Sequence, residues 1–348
     1  MPAAPRDRAA TVRERFRGGP RALCLLLPLA AIAAAPPDYR QRVGIYVWGT
    51  LASDLARAAA DVKRLGAGQV VRIYAGPRTA SPAIDSTPLD VKVRRADYRA
   101  FLAGFPVVML TAYDAASFER YKAARLPPAD LARTTAEFRR FALELARTPG
   151  RKIVSNWEFE NDCLPANWAG CTEYYQARLD GIAQGKRDAK AKGYPGEILT
   201  AFEFTIVPGF SGKPSGLEQV GAKLHGVDFL SYSAWWSIRW NGDPPTVRKD
   251  FEFLAGMLRE FAVRHKISSR LIIGEFGEYW DQHTDAARLK AIVDGSLAGG
   301  VEYLFNWVLY DQPGKKDEWG RDASHYGKYR LDGTLTPQGE AFRRWFTP

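Results

Sequence analysis

Eight short apolar runs recur along the chain with longer amphipathic stretches between them, and this rhythm restricts the fold more than any other feature. The runs cover residues 43–48, 69–74, 106–111, 152–157, 198–204, 227–232, 271–275 and 301–307. Most are continuous rather than alternating, the pattern of strands covered on both faces of a parallel sheet. Apolar residues at helical spacing predict helices over 51–65, 129–146, 171–192, 246–265 and 284–298, with a last one near 336–346. Eight strand–helix units with no Pro-, Gly- or Ser-rich linker dividing them predict a single (β/α)8 barrel spanning 36–348. A doubly wound open sheet is the competing fold, but no glycine-rich dinucleotide loop follows the first run. The long polar stretches 76–95 and 311–334 are placed on the barrel rim.

Composition supports a large buried core. With 46% hydrophobic and 25% charged residues among 348, disorder, collagen and coiled coil are excluded. Residues 1–35 read as a signal peptide. Six arginines crowd its front, an apolar run follows over 22–35, and Ala31-Ile32-Ala33 suits signal peptidase. An uncleaved membrane anchor is the alternative reading of this segment. The formal charge is +10, and cleavage after Ala33 removes six Arg against Asp7 and Glu14, leaving about +6. That mild excess gives no reason to expect nucleic acid as a partner. The chain is expected in the periplasm or outside the cell, acting as a single copy.

Export bears on the cysteines. Cys24 leaves with the signal, so Cys163 and Cys171 are expected to join in an oxidising compartment, two buried free thiols being the alternative. No histidines accompany them at zinc-like spacing, so no metal is expected. Glu278, Asp281 and His283 are read as a solvated loop rather than a metal site.

In a barrel of this kind, chemistry belongs to the C-terminal ends of the strands. The polar and aromatic residues there are Tyr46 and Trp48 on the first, Arg72 on the second, and Tyr113 and Asp114 after the third. The fourth ends in Asn156-Trp157-Glu158-Phe159-Glu160, the fifth has Glu203, and the sixth has Tyr232 followed by Trp235 and Trp236. The seventh ends in Gly274-Glu275-Phe276-Gly277 and the eighth in Asn306-Trp307. Glutamates ending strands four and seven face each other across an eight-stranded ring. Two such carboxyls can divide glycosidic cleavage between them, one protonating the leaving oxygen and the other attacking the sugar's cationic centre. Aromatic side chains around the mouth offer flat faces for sugar rings. The chemistry needs no cofactor.

At these strand ends the chain resembles clan A glycoside hydrolases, the retaining (β/α)8 group that includes cellulases and mannanases. The resemblance implies an acid/base glutamate ending strand four and a nucleophile glutamate ending strand seven, here Glu158 and Glu275. Ile-Ile-Gly-Glu-Phe-Gly around Glu275 is similar to the clan's nucleophile motif. By the same resemblance, Arg72, Tyr232 and Trp307 match positions that hold the nucleophile and line the sugar subsite at the cleaved bond; for Tyr232 a place in the core is the equal alternative to donating to Glu275. Strand four departs from the pattern, because Trp157 stands between Asn156 and the glutamate. Regular alternation would put Asn156 and Glu158 on one face, with Asn156 as a contact to the sugar 2-hydroxyl and Glu160 as the reserve acid.

Other expectations are less specific. Arg72 inside a barrel requires a carboxylate, since an unpaired buried charge is very costly. Glu275 or Glu158 would supply it, with a structural pair to Asp114 or Glu203 as the alternative. Glu203 is read as hydrogen-bonded and structural, or as a third cleft carboxylate. Tyr46, Trp235 and Trp236 are expected to contact carbohydrate, with Trp240 nearby, and Trp168 to form a cleft wall fixed by the disulfide. The reading as a whole is an exported retaining glycoside hydrolase acting on a poly- or oligosaccharide, against a carbohydrate-binding barrel without turnover. A metal-dependent barrel hydrolase finds no histidine at a strand end.

Overall fold

The computed structural model describes residues 38–48, 54–76, 87–117, 120–209, 212–236, 242–277, 286–314, 316 and 325–346. Eight parallel strands close into a barrel in sequence order: β1 (Val43–Val47), β2 (Val70–Tyr74), β3 (Val107–Thr111), β4 (Gly150–Ser155), β5 (Gly196–Phe204), β6 (Phe229–Ser233), β7 (Leu271–Phe276) and β8 (Tyr303–Asn306). β1 closes the ring on β8, with Val43 opposite Leu304 and Ile45 opposite Asn306. The expected fold is therefore the observed one. Residues 1–35, read as a signal, lie outside the described residues, and among those that are described no helix is long and apolar enough to cross a membrane.

The continuous apolar runs resolve into two environments. One parity of each strand packs outward against the helices in the main core, through Ile45, Val71, Leu110, Val154, Phe202, Leu230, Ile273 and Leu304. The other parity fills the barrel interior with Val70, Met109, Ile153, Leu199, Phe229, Ile272, Tyr303 and Phe305. Two layers of covering explain why alternation is faint in the sequence. Local signals fix the helix ends. Asp243 caps the helix Pro244–His265 by accepting from Thr246 N (2.8 Å), and Thr336 caps Pro337–Arg344 by accepting from Gly339 N (3.0 Å).

Two expectations need correction. The stretch 76–95 is not all loop, for Leu89–Arg94 is helical. Its Lys92 is buried and donates to the Gly76 carbonyl, so charged residues conceal a packed helix. Between β5 and β6 the described residues hold only the short helix Gly216–Gln219 and a 3₁₀ turn at Gly221–Lys223, so this unit lacks a full crossover helix.

Candidate active site

Glu275 reaches the barrel mouth because β7 is one residue too long. Tyr232 and Ser233 of β6 pair with Ile273 and Glu275, and Leu304 and Asn306 of β8 pair with Ile273 and Phe276. Both neighbours thus skip a residue at the same place, which is a bulge. In plain alternation from the inward Ile272, Gly274 and Phe276 would face inward and Glu275 would point at the helices. Instead Phe276 lies in the outer core, while Trp235 Nε1 donates to Glu275 Oε2 (3.3 Å) and Arg72 lies 3.6 Å from Oε1.

Glu158 comes from the opposite side. β4 ends at Ser155, two residues before the expected end, so strand alternation does not govern 156–158. Glu158 (φ −45°, ψ 105°) immediately precedes the short helix Phe159–Asp162. Its carboxylate accepts from Ser233 Oγ (2.5 Å) and from Asn161 Nδ2. Ser233 is the register partner of Glu275, so one residue of β6 touches the first glutamate and pairs with the second. Burial, then the negative charge of Glu275, pushes the Glu158 carboxyl well above the usual carboxylate range, against the opposing hydrogen bond from Ser233. Trp157, inserted beside Glu158, is 37% exposed, and its N–H is held by the Tyr113 hydroxyl (2.6 Å).

The reserve candidate, Glu160, is committed elsewhere. Its carboxylate accepts from Thr205 N (2.7 Å) and Gly216 N (2.8 Å), tying the loop after β4 to that after β5. Asn156 likewise spends its amide on the Glu203 backbone, accepting from its N–H and donating to its carbonyl, each at 2.8 Å. It fastens β4 to β5 at the level of the site, which differs from the expected sugar contact.

Arg72 lies fully buried at the barrel centre, and its partner is chiefly the structural alternative, Glu203. The pair is bidentate, Nη1 to Oε2 at 2.8 Å and Nη2 to Oε1 at 2.9 Å. Asp114 is instead bound by Ser117, Thr134 and Tyr174. Ser231 Oγ adds a hydrogen bond to Glu203 Oε2 (2.7 Å). This cluster needs a glycine at 274, since a Cβ there would lie 1.8 Å from Glu203 Oε2.

Around the glutamates stands an aromatic wall. Tyr46 and Trp307 form its buried part, ring centroids 5.1 Å apart, with Trp48, Tyr74, Trp235 and Tyr326 packed against them. The Tyr46 ring also covers the Arg72 guanidinium at 4.4 Å, and its hydroxyl bonds Thr111 (3.2 Å). Tyr232 takes the core alternative. It belongs to the outer core, 5.5 Å from Phe204, because Phe229, Ser231 and Ser233 take the inward parity of β6. The serines are the polar residues that β6 sends inward; the spacing Phe-x-Ser-x-Ser carried that signal. Trp168 is half-buried, packs on Phe159 against the main core and donates to the Cys163 carbonyl (3.1 Å). Cys163 and Cys171 form the expected disulfide. The Trp236 side chain, Trp240, Glu278, Asp281 and His283 lie outside the described residues, and among those described no cluster could hold a metal ion.

No protein-family model matches the chain, and no curated protein matches it. Solved structures match in fold. An exo-β-1,4-mannosidase from Opitutaceae bacterium strain TAV5 superposes with a TM-score of 0.57 at 16% identity, over 88% of this chain and 59% of that one. The present chain thus spans well under two thirds of that enzyme's length. A GH5_18 protein from Bifidobacterium longum subsp. infantis gives 0.58 at 12% identity, covering 88% and 78%. A GH5-4 broad specificity endoglucanase from Clostridium acetobutylicum gives 0.56 at 13%, covering 89% and 98%. The chain therefore has the (β/α)8 fold seen in these glycoside hydrolase structures.

Proposed function

We propose that the protein is a retaining glycoside hydrolase, with Glu158 as acid/base and Glu275 as nucleophile. The observation that carries this reading is the pairing itself. A buried carboxyl, pushed well above the usual carboxylate range by burial and by Glu275, faces a second carboxyl from the opposite side of the barrel, linked through Ser233, beneath an aromatic wall. A carboxyl whose proton is held more tightly than usual can protonate a leaving oxygen, while an ionised neighbour attacks the anomeric carbon. The resulting Glu275 ester is then cleaved by water, whose proton returns to Glu158. Trp235 orients Glu275 through its indole N–H, Ser233 and Asn161 orient Glu158, and Tyr46 and Trp307 line the sugar subsite. Asn156 acts by joining strands. Export through residues 1–35 belongs to the same reading.

The fold neighbours suggest where to look for substrate. A GH5_18 protein from another Bifidobacterium longum was crystallised with Manβ1-4GlcNAc, so β-mannosides and β-glucosides come first. The test is hydrolysis of dinitrophenyl β-glycosides, followed by trapping with the matching 2-deoxy-2-fluoro glycosides. Mass spectrometry should find the label on Glu275, and NMR should show the product anomer with retained configuration. Label elsewhere, or an inverted product, would remove the assignment. Sugar binding without turnover, unchanged by Glu275→Gln, would instead establish the carbohydrate-binding alternative.

A further inference from the structure

Arg72 is expected to hold Glu275, yet its hydrogen bonds go elsewhere. A guanidinium has five N–H groups. Nε donates to Thr111 Oγ1 (3.0 Å), Nη1 to Glu203 Oε2 and the Gly274 carbonyl (both 2.8 Å), and Nη2 to Thr111 Oγ1 (2.8 Å) and Glu203 Oε1 (2.9 Å). All five are used, so Glu275, 3.6 Å away, feels Arg72 only as a charge.

That charge is opposed at closer range by Glu203. We propose that Glu203 is a positioning residue that neutralises Arg72, so that the negative charge of Glu275 acts on Glu158 in full and sets the alkaline edge of catalysis. This inference rests on the hydrolase reading above. The groups that face this cluster are Tyr46 from β1, Arg72 from β2, Thr111 from β3, Glu158 with Asn161 after β4, Ser231 and Ser233 from β6 and Glu275 from β7. Beyond them lie Glu160, bound to Thr205 and Gly216, and Asp162, bound to Tyr113, Tyr121 and Lys122. Tyr46 is kept neutral by burial, and Asn161, Thr111 and the serines carry no charge. The nearest titratable or charged groups are therefore the carboxyls of Glu158, Glu203 and Glu275 and the guanidinium of Arg72. Remove the charge of Glu203, and Arg72 turns its full charge on Glu275 and Glu158. Glu158 then loses its proton more readily, and the acid fails at lower pH.

The test is the pH profile of kcat/KM for an aryl glycoside in Glu203→Gln. The alkaline limb should move toward acid by about 1 pH unit, the lower end of what a nearby charge does to a carboxyl. Glu203→Asp keeps the charge but shortens the reach, so its limb should stay at the wild-type position even where its melting temperature and kcat fall. An active Glu203→Gln with an unmoved limb overturns the proposal. So does a limb that moves in Glu203→Asp, which decides the matter if Glu203→Gln does not fold. These outcomes presuppose wild-type turnover that Glu275→Gln abolishes. A wild type without turnover overturns the hydrolase reading itself, and this inference with it.

Discussion

Gly274→Ala concentrates the largest expected effect into the smallest change. The added methyl would sit 1.8 Å from Glu203 Oε2 and 2.4 Å from Ser231 Oγ, distances that carbon does not tolerate. Glu203 is wholly buried, so it has no solvent to retreat into, and the movement must break its bidentate contact with Arg72. Separating a buried, hydrogen-bonded charge pair costs about 3–5 kcal/mol. At roughly 2–4 °C per kcal/mol for a domain somewhat smaller than this one, the melting temperature should fall by about 6–20 °C. Circular dichroism melts would measure it. Gly256→Ala supplies the comparison. Gly256 lies within the helix Pro244–His265 with open space where its Cβ would be, so alanine should stabilise there by about 0.5–1 kcal/mol. A Gly274→Ala melt within 2 °C of wild type would refute the argument that Glu203 is packed immovably over this backbone.

Other outcomes follow from the same geometry. Glu160→Gln should lower kcat less than about 10-fold, while Glu158→Gln should lose about 10²–10⁴-fold on substrates with poor leaving groups, as steady-state kinetics would show; equal losses would point to a shared role. Reducing the Cys163–Cys171 bridge, which closes a short loop of sequence separation 8, should cost about 2–3 kcal/mol in guanidinium unfolding, and an unchanged midpoint would contradict this. Lys152 is fully buried, donates to the Pro149 carbonyl, and has its pKa lowered by burial to about 8. Between that value and about 10.4 the unfolded chain binds the extra proton, so the penalty for burying the lysine is full below pH 8 and fades as pH rises. Lys152→Met should therefore stabilise by about 1–3 kcal/mol at pH 7 and gain nothing near pH 10.5, as urea melts at the two pH values would show. A gain that does not vary with pH would mean that packing, not charge, is responsible.

The barrel was legible because eight buried strands impose eight apolar runs, and because strands four and seven of a ring must face one another. What escaped was side-chain direction at the strand ends. Glu275 reaches the mouth by a bulge, and Glu158 by leaving its strand early, and no run of hydrophobicity encodes either. For Tyr232 family position and parity point opposite ways, and parity governs: Phe229, Ser231 and Ser233 share the inward face, which leaves Tyr232 in the outer core. The Arg72–Glu203 pair was weighed as a structural alternative. It could not be ranked above Glu275, since several carboxylates fall within reach of one guanidinium and only packing chooses among them.

The extra residue in β7 makes the facing of Glu275 a matter of counting rather than of chemistry. Substitutions at Ile273 or Phe276 leave that count intact, and losing Gly274 would restore strict alternation with the carboxylate still facing inward and Phe276 still facing the oily shell around the barrel. A stretch of four residues thus keeps its facing through changes of identity at its ends and through loss of its extra residue, so long as Glu275 itself stays. In lineages descended from such a barrel, a one-codon deletion at Gly274 would cost the backbone carbonyl to which Arg72 donates, not the direction of the carboxylate.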